Sequence, residues 1–311
     1  MRDKGNGKIR FPRSEYLYYP GCSLEHTGLM YDTSARAVMK ALGSSLKELD
    51  DWNCCGATSY MSIRELRAFA VSSRNLALAE MSGADQLVTV CSACFTTLGK
   101  TNRYFREDAT LRARIKDALA AADLKYDGSL EVRHLLDVIV NDFGVEEVKK
   151  RAKRGLSGMK VAPYYGCQIS RPHGTFDDPE NPSSFDPILS ALGADVLRFP
   201  LRARCCGGMQ MITSSEAAIP LVRDLLKCAK DEGAECIVCF CPLCHVNLDC
   251  YTGAVERKFG EKYAIPIIYF TQVLGLALGL SAKQLDIGRE LVDTSAFVEK
   301  YAAEAAAGAS A

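Results

Sequence analysis

The chain has 311 residues, which is enough for one large domain or two of ordinary size. Its 38 lysines and arginines equal its 38 aspartates and glutamates, so no strongly basic surface points to nucleic acid. The most apolar stretch is shorter than the roughly 20 residues that span a bilayer, so no transmembrane span is expected. The composition is that of a soluble globular protein, except for its 14 cysteines.

Residues 1–15 form an N-terminal extension without the apolar core of a secretion signal. We therefore expect a cytoplasmic protein, in which thiols stay reduced. Clustered cysteines in that compartment bind metal more often than they form disulfides.

Residues 16–148 predict a first unit in which strands alternate with helices. Gly43 and Gly83 are expected to end its two amphipathic helices. The expected elements are strand 16–19, helix 29–42, strand 45–49, helix 62–82 and strand 86–90, followed by linking helices at 108–122 and 131–143.

Residues 149–282 begin with a basic linker, 149–160, and predict the same order a second time. The expected elements are strand 160–165, helix 184–192, strand 195–199, helix 215–231, strand 236–240 and a largely buried apolar helix at 265–280. Residues 283–311 predict a C-terminal helix with a frayed alanine-rich tail. The fold class expected is α/β, with two tandem pseudo-symmetric repeats, each a small mostly parallel sheet with flanking helices.

Ten of the cysteines form two copies of one motif, about 150 residues apart. Each copy has a single cysteine, an adjacent pair followed by glycine, and a C-x-x-C. The flanks repeat as well, since Tyr-Tyr-Pro-Gly precedes the first cysteine of one copy and Pro-Tyr-Tyr-Gly that of the other. The motif residues are Cys22, Cys54, Cys55, Cys91 and Cys94, then Cys167, Cys205, Cys206, Cys241 and Cys244.

This pattern favours a metal cluster over simpler metal sites. A C-x-x-C at a helix start directs two thiolates to one centre, but zinc sites and redox dithiols also use it. An adjacent pair reaches one centre only in a tight turn, which Gly56 and Gly207 would permit. Five sulfurs exceed the four ligands of tetrahedral zinc and of a usual cubane, which favours a cluster with uneven coordination.

The doubled motif resembles the CCG domains of the B-subunit family of heterodisulfide reductase, over roughly residues 16–280. The resemblance implies two non-cubane [4Fe–4S] clusters, each held by five cysteines. By position, the first cluster would fall on Cys22, Cys54, Cys55, Cys91 and Cys94, and the second on Cys167, Cys205, Cys206, Cys241 and Cys244.

The resemblance also implies an activity and partners. A small-molecule disulfide would be held between the two clusters, each supplying one of the two electrons that cleave it. The expected partners are a ferredoxin-like subunit with cubane clusters and a flavin-containing subunit.

Two residues after Cys167 are the predicted catalytic residues. Methanogen members of the family commonly have a histidine where this chain has Gln168, which can hydrogen-bond a substrate sulfur but cannot deliver a proton. The departure bears on the substrate and leaves the cluster ligands unaffected. The polar segment 171–187 predicts a surface loop or a lid over the second cluster, and Arg171 is expected to bind an anionic group of the substrate.

The remaining cysteines are interpreted as structural. Cys228 and Cys236 are expected to be buried small apolar residues. Cys239 alternates with Cys241 and is expected to point to the other face of the strand. Cys250 is expected to lie away from the clusters.

The positions of several histidines and of the tryptophan allow two interpretations each. His26 and His173 follow the first cysteine of each copy and are either cluster neighbours or surface residues. His134 is expected in the core, and His245 either bonds a cluster sulfur or only packs. Trp52 is expected beside the first cluster or simply in the core.

Three functions remain open on sequence alone. The first is an oxidoreductase subunit that reduces or forms a disulfide within a complex. The second is an electron-relay or membrane-associated CCG subunit of a succinate- or lactate-type dehydrogenase that passes electrons to quinone. The third, structural zinc, leaves the Cys-Cys-Gly turns unexplained.

Overall fold

The computed structural model describes residues 10–57, 60–172 and 176–302. Within them, eight strands form two four-stranded sheets whose neighbouring strands all run parallel. This α/β arrangement confirms the predicted fold class. The strands are β1 Glu15–Tyr18, β2 Ser45–Glu48, β3 Gln86–Thr89, β4 Glu131–His134, β5 Lys160–Tyr164, β6 Asp195–Val196, β7 Cys236–Cys239 and β8 Ile267–Tyr269.

Helices flank both sheets, and those predicted at 29–42, 62–82, 108–122 and 215–231 are present, whereas the long helices at 92–107 and 242–259 had no predicted range. A single turn of 3₁₀ helix covers Cys22–Glu25, and a π-helical turn covers Ile139–Phe143. The α-helices are α1 Leu29–Ala41, α2 Tyr60–Ile63, α3 Glu65–Met81, α4 Ser92–Glu107, α5 Ala109–Ala120, α6 Leu135–Val138, α7 Gly144–Arg151, α8 Asp186–Ala191, α9 Gln210–Thr213, α10 Ser215–Asp231, α11 Pro242–Phe259, α12 Phe270–Ala277 and α13 Ser295–Tyr301.

The two sheets have the same strand order, β2-β1-β3-β4 in the first and β6-β5-β7-β8 in the second. The register repeats too, since Tyr18 lies opposite Val88 in the first sheet and Pro163 lies opposite Val238 in the second. β3 and β7 are buried along their whole length, as expected for inner strands covered by helices on both faces. The duplication seen in the sequence is therefore a duplication of topology.

Two segments that were predicted to be helical each begin with the fourth strand of a sheet. Residues 131–143, expected to be helical, begin with β4 and only then turn into α6 and a π-helical turn. Residues 265–280, expected to form one helix, begin with β8 and continue as α12. Each of these strands has three or four residues and leads straight into a helix, so the helical periodicity of the segment hides it.

The apolar segment around α12 is buried, as predicted. Every residue of β8 and α12 is buried, so these elements pack inside the protein. Within the part of the chain that the structure describes, no helix is long and apolar enough to cross a membrane. The alanine-rich end of the predicted tail, 303–311, lies outside the described residues.

The core consists of two apolar clusters, and each contains residues from both halves of the chain. One includes Tyr31 and Phe270, and the other includes Tyr19 and Tyr164. The second cluster also contains six of the motif cysteines. The two sheets therefore share their core, and the cysteines lie where the halves meet.

Candidate metal centre

The motif cysteines follow the inner strands of the two sheets. In each sheet the direction of strand addition reverses between these inner strands, β1 and β3 in the first and β5 and β7 in the second. Cys22 and Cys91 follow β1 and β3, and Cys167 and Cys241 follow β5 and β7. Ligands of open α/β sheets bind in the crevice beyond the carboxyl ends of strands at such a reversal. The topology thus brings cysteines to a ligand-binding position.

The first sulfur site comprises Cys22, Cys54, Cys55, Cys91 and Cys94. Its Sγ atoms form a row of successive contacts, in which Cys22 lies 3.8 Å from Cys54 and Cys55 lies 3.3 Å from Cys94. Cys54 is also hydrogen-bonded to Cys55, and Cys91 to Cys94. All five predicted residues are therefore brought together.

The second sulfur site comprises Cys167, Cys205, Cys206, Cys241 and Cys244. Here the Sγ atoms of Cys206 and Cys244 are 3.5 Å apart. Cys205 is hydrogen-bonded to both Cys167 and Cys206, and Cys241 to Cys244. The row of contacts repeats that of the first site residue by residue.

The two sites meet at the interface of the halves. The thiols of Cys91 and Cys241 lie close enough across the interface for each to shift the pKa of the other. Two hydrogen bonds tie the halves together here, from the Ser92 hydroxyl to the Phe240 carbonyl (2.9 Å) and from the Thr96 hydroxyl to the Gln168 carbonyl (2.5 Å). All ten motif thiols thus form one continuous row through the interface.

Each site has a buried inner part and an accessible outer part. The second cysteine of the adjacent pair and both cysteines of the C-x-x-C are buried in each copy. Cys22 and Cys205 are exposed, and Cys54 and Cys167 are half-buried. The inner sulfurs face the other half of the molecule, and the outer ones lie towards solvent.

A buried tyrosine holds each Cys-Cys turn in place. The Tyr19 hydroxyl donates to the carbonyl of Asn53 (2.8 Å), the residue before the first pair. The Tyr164 hydroxyl donates to the carbonyl of Arg204 (2.7 Å), the residue before the second pair. This role does not follow from the sequence, although the two tyrosines repeat in the flanks of the motif.

Glycine is required beside each first cysteine. Gly21 and Gly166 have φ of 80° and 72°, a conformation that residues with a side chain rarely adopt. A Cβ atom on Gly21 would lie 3.0 Å from the Sγ of Cys94, and one on Gly166 would lie 3.1 Å from the Sγ of Cys244. The Pro-Gly and Tyr-Gly steps of the motif therefore make room for a sulfur.

Gly56 and Gly207, which follow the adjacent pairs, also have positive φ, at 81° and 92°. A Cβ atom on Gly207 would lie 2.7 Å from the Cβ of Ala218 in α10. The tight Cys-Cys-Gly turn predicted from the sequence is present in both copies.

Neighbouring thiols favour the thiolate form of Cys54 in the first site and of Cys205 and Cys241 in the second. Hydrogen bonds, the strongest from Cys22, lower the pKa of Cys54 to about 2. Equivalent bonds, the strongest from Cys167, lower the pKa of Cys205 to about 2, and the Arg171 guanidinium adds to this effect. The thiolate is the metal-binding form of cysteine.

The donor set of each site fits an iron–sulfur cluster. All 14 cysteines are free thiols, and each site offers five in successive contact. Within the described ranges, no three histidine, cysteine, aspartate or glutamate side chains are arranged to hold a single metal ion. Thiolates are the usual ligands of iron–sulfur clusters, so the chemistry of the donors matches this group.

Cys239 lies with the second site, contrary to the prediction. Its thiol is hydrogen-bonded to Cys244 and lies 3.5 Å from the carbonyl oxygen of Cys241. The prediction was wrong because β7 ends at Cys239, so the alternation of the strand does not extend to Cys241. The first copy has Thr89 at this position, and its hydroxyl accepts a hydrogen bond from the amide of Cys91 (3.3 Å).

A cavity of about 440 Å³ opens between the halves and is lined by residues that directly follow motif cysteines of both copies, although none of the ten motif cysteines lines it. Gln168 and Arg171, the predicted catalytic residues, line it from the segment after Cys167. Phe95 and Thr96, which directly follow the first C-x-x-C, line it from the start of α4. Ligand pockets commonly have volumes of about 300–1,000 Å³, so a small molecule would fit.

Positive charge predominates in this cavity. Three of its basic residues lie on one face of α4 at helical spacing, and this spacing is visible in the sequence. The basic residues in the lining are Arg10, Lys100, Arg103, Arg106 and Arg171, and the acidic ones are Glu107, Glu131 and Asp137.

Three buried donor atoms of lining residues have no hydrogen-bond partner among the described residues, namely Arg10 Nη1, Ser170 Oγ and Arg171 Nε, although Arg10 Nη1 lies 3.5 Å from a carboxylate oxygen of Asp137. The opposite end of the Arg171 guanidinium donates to the carbonyl of Ala203 and lies 4.0 Å from Glu180. Arg171 is thereby held between the cavity and the turn that carries Cys205. Unpaired buried donors are rare and point to a ligand that accepts hydrogen bonds.

The histidines take different positions. His134 is buried in the core, as predicted, and its Nε2 lies 2.8 Å from the carbonyl oxygen of Val90. His245 is buried against Tyr269 and bonds the carbonyl of Ile267 (2.8 Å), so its observed hydrogen bond goes to the backbone. His26 is exposed, and His173 lies outside the described residues.

Trp52 packs at the edge of the first site, with its ring 5.4 Å from that of Tyr19 and its Nε1 donating to Glu48 (3.0 Å). Among the other cysteines, Cys236 is buried as predicted, Cys228 is half-buried and Cys250 is exposed.

Comparisons with known proteins agree with the duplicated motif. A family model described as CCG, Cysteine-rich domain, matches residues 16–99 and 161–249. The chain is 34% identical to the 8-methylmenaquinol:fumarate reductase membrane anchor subunit of Wolinella succinogenes, over 91% of this chain and 99% of that protein. It is 31% identical to the B subunit of the Ferredoxin:CoB-CoM heterodisulfide reductase of Methanosarcina mazei, over 90% of this chain and 94% of that protein.

The fold also resembles that of a hypothetical protein from Helicobacter pylori, with a TM-score of 0.75 and 12% identity. The match covers 94% of this chain and 55% of that chain, so this chain spans little more than half the length of that protein. At this identity the likeness concerns the fold alone.

Proposed function

The chain belongs to the CCG cysteine-rich domain family, which includes the B subunit of heterodisulfide reductase, and from that premise we propose that it is the iron–sulfur subunit of a heterodisulfide-reductase-like complex. It would reduce a small-molecule disulfide, or form one in the reverse direction. The observation that carries the proposal is the row of ten thiols, two sets of five that meet through Cys91 and Cys241.

Two non-cubane [4Fe–4S] clusters are proposed, one on each sulfur site, and each would supply or accept one of the two electrons of the reaction. The ligands proposed are all five cysteines of the first site and the five equivalent cysteines of the second. Tyr19 and Tyr164 would keep the Cys-Cys turns in position while the ligands bind.

The cavity between the halves is the proposed substrate site. Gln168 would hydrogen-bond a substrate sulfur through its side-chain amide, since its backbone is held by Thr96. Arg171 would bind an anionic group of the substrate through its unpaired Nε. The position of both residues between Cys167 and the cavity supports these roles.

The proposed partners are a ferredoxin-like subunit with cubane clusters and a flavin-containing subunit, in the cytoplasm. The exposed Cys22 and Cys205 support an approach of the electron donor from the outer side of the sites. The name of the M. mazei relative, which is one subunit of a larger enzyme, supports a role within a complex.

Anaerobic purification followed by iron, sulfide and zinc assays tests the clusters. Protein replete with zinc and free of iron would overturn the proposal. Electron paramagnetic resonance (EPR) of the oxidised protein, with and without added thiol, then tests the site, because a thiol that binds at a cluster should produce a new paramagnetic signal.

Arg171→Ala tests the substrate role. We expect a raised KM with unchanged iron content, because the guanidinium would contribute binding rather than ligation. Arg114→Ala, on the exposed face of α5, is the matched control and should leave KM unchanged. Equal KM values for Arg171→Ala and Arg114→Ala would remove Arg171 from the site.

A second function is supported by the relative from W. succinogenes. On that reading the chain is an electron-relay or membrane-associated subunit of a dehydrogenase or reductase that exchanges electrons with quinone. Rapid electron exchange with a menaquinol analogue, together with an EPR spectrum unaffected by thiols, would favour it over disulfide chemistry.

A further inference from the structure

Two tyrosines from different halves of the chain form a buried pair. Tyr31 lies in α1 and Tyr269 ends β8, and their rings stack with centroids 4.0 Å apart and planes 10° from parallel. Both are 0% exposed, and neither hydroxyl has a hydrogen-bond partner within the described residues. Buried polar groups without partners are rare and costly, so two in one contact call for an acceptor.

The pair lies beside the second sulfur site. Tyr269 is opposite Cys239 in the register of β7 and β8, and its ring also stacks on His245, the residue after Cys244. Tyr31 is near the start of α1, where a Cβ atom on Gly28 would lie 3.2 Å from Pro242 of the second C-x-x-C. Both halves therefore place a hydroxyl-bearing ring next to the same group of sulfurs.

The electrostatic environment agrees with this placement. Burial raises the pKa of both hydroxyls, and the nearby thiols of Cys239 and Cys241 raise it further; a smaller effect on Tyr269 comes from Cys91 of the first site. The hydroxyls therefore stay protonated and are available as donors to a negatively charged sulfur.

The first sulfur site has no such pair at the equivalent position. His134 lies opposite Thr89 as Tyr269 lies opposite Cys239. Both ring nitrogens of His134 are already used, because Nε2 pairs with the Val90 carbonyl and Nδ1 accepts from the Leu136 amide (3.1 Å). The two sites are therefore alike in their cysteines but differ in the donors around them.

We propose that the Tyr31 and Tyr269 hydroxyls donate hydrogen bonds to inorganic sulfur of the cluster bound at the second site and so make that site more easily reduced than the first. The inference rests on the proposed function, since it requires both sites to be loaded. Reduction adds negative charge to the sulfurs, and donors that stabilise this charge raise the reduction potential. The first electron would then reside in the second site, whose Cys205 turn is held by Arg171 beside the cavity.

The test is an EPR-monitored redox titration of the full-length, iron-loaded chain with Tyr31→Phe and Tyr269→Phe. Each variant removes one oxygen atom and preserves the ring stack. We expect one of the two reduction potentials to fall in each variant while the other remains unchanged. Tyr126→Phe is the control, because Tyr126 is buried and donates to Asn102 (2.7 Å) away from the sulfur sites.

A Cys94→Ala variant assigns the shift, since it removes a proposed ligand of the first site only. The potential that remains in this variant should fall when Tyr269→Phe is added. Deuterium electron-nuclear double resonance should also lose an exchangeable proton coupling in the tyrosine variants, which a purely structural role would not cause.

Potentials that do not move, that move together, or that move equally in Tyr126→Phe would overturn the inference. So would loss of iron from both tyrosine variants, because the rings would then be structural. If the wild-type chain binds no iron, the proposed function itself fails. If it binds iron and only the shifts are absent, the proposed function stands and the inference alone falls.

Discussion

Alanine in place of Gly21 or Gly166 is expected to remove the cluster from one site at a time. Both glycines have positive φ, and Gly21, with ψ of 157°, lies in a region that is essentially confined to glycine, so the backbone strain of alanine there is about 1–3 kcal/mol. The added Cβ would also meet the Sγ of Cys94 or Cys244 at 3.0 or 3.1 Å, a contact that requires the sulfur to move. Overpacking of this kind costs about 1–3 kcal/mol, so the total for each variant is about 2–6 kcal/mol.

Gly83→Ala and Gly233→Ala separate strain from sulfur displacement. These glycines have φ of 82° and 76°, close to those of Gly21 and Gly166, but an added Cβ meets nothing within 4 Å. They should therefore lose only about 1–2 kcal/mol and keep all of the iron. The difference between the two kinds of variant reflects the contact with the sulfur and, for Gly21, the additional strain of its ψ of 157°.

The measurements are urea unfolding of the reduced apoprotein and iron per chain after anaerobic reconstitution. Gly21→Ala and Gly166→Ala should each retain about half of the wild-type iron, because each disturbs one of the two proposed sites. If Gly21→Ala matches Gly83→Ala in both stability and iron content, the glycine does not make room for a ligating sulfur and the reasoning fails.

Three further predictions concern the surroundings of the sites. Tyr19→Phe and Tyr164→Phe should each lower the free energy of unfolding by about 1 kcal/mol, because a hydrogen bond to the Cys-Cys turn is lost. Each variant should also lose iron to a chelator faster from one site. Equal chelation rates in both variants and wild type would argue against this role. Burial lowers the pKa of His134 to about 4. The neutral side chain should therefore add about 3 kcal/mol to the free energy of unfolding above pH 6.5, and this contribution should disappear as the pH falls towards 4. A difference in unfolding free energy between wild type and His134→Gln that does not narrow over this range would contradict the prediction. Asp142→Ala should lower the free energy of unfolding in urea by about 3–5 kcal/mol. The substitution removes a carboxylate oxygen that lies 2.8 Å from the buried Arg133 guanidinium. A decrease below about 1 kcal/mol would show that other groups compensate the charge of Arg133.

The local arrangement of each sulfur site followed from short-range sequence signals. The C-x-x-C motifs lie at helix starts, and the turns at Gly56 and Gly207 have the positive φ that two adjacent cysteines need. These features depend on residues a few positions apart, so they could be predicted without knowledge of the packing. The same holds for the alternation of strands and helices, which implied parallel sheets with the cysteines at their carboxyl ends.

Other features depended on contacts between distant segments. β4 and β8 are so short that only pairing with β3 and β7 identifies them as strands, and Cys239 joins the second site because β7 ends there. The stack of Tyr31 on Tyr269 joins residues from opposite halves, for which no local pattern exists.

The sequence identified which cysteines the fold brings together, because ten cysteines in a doubled pattern have few possible groupings. Tertiary structure alone decided how the two sets are related. The contact between Cys91 and Cys241 and the cavity beside Gln168 and Arg171 arise only when the halves share one core. Packing between the copies, which periodicity does not encode, therefore turns two separate motifs into one candidate site.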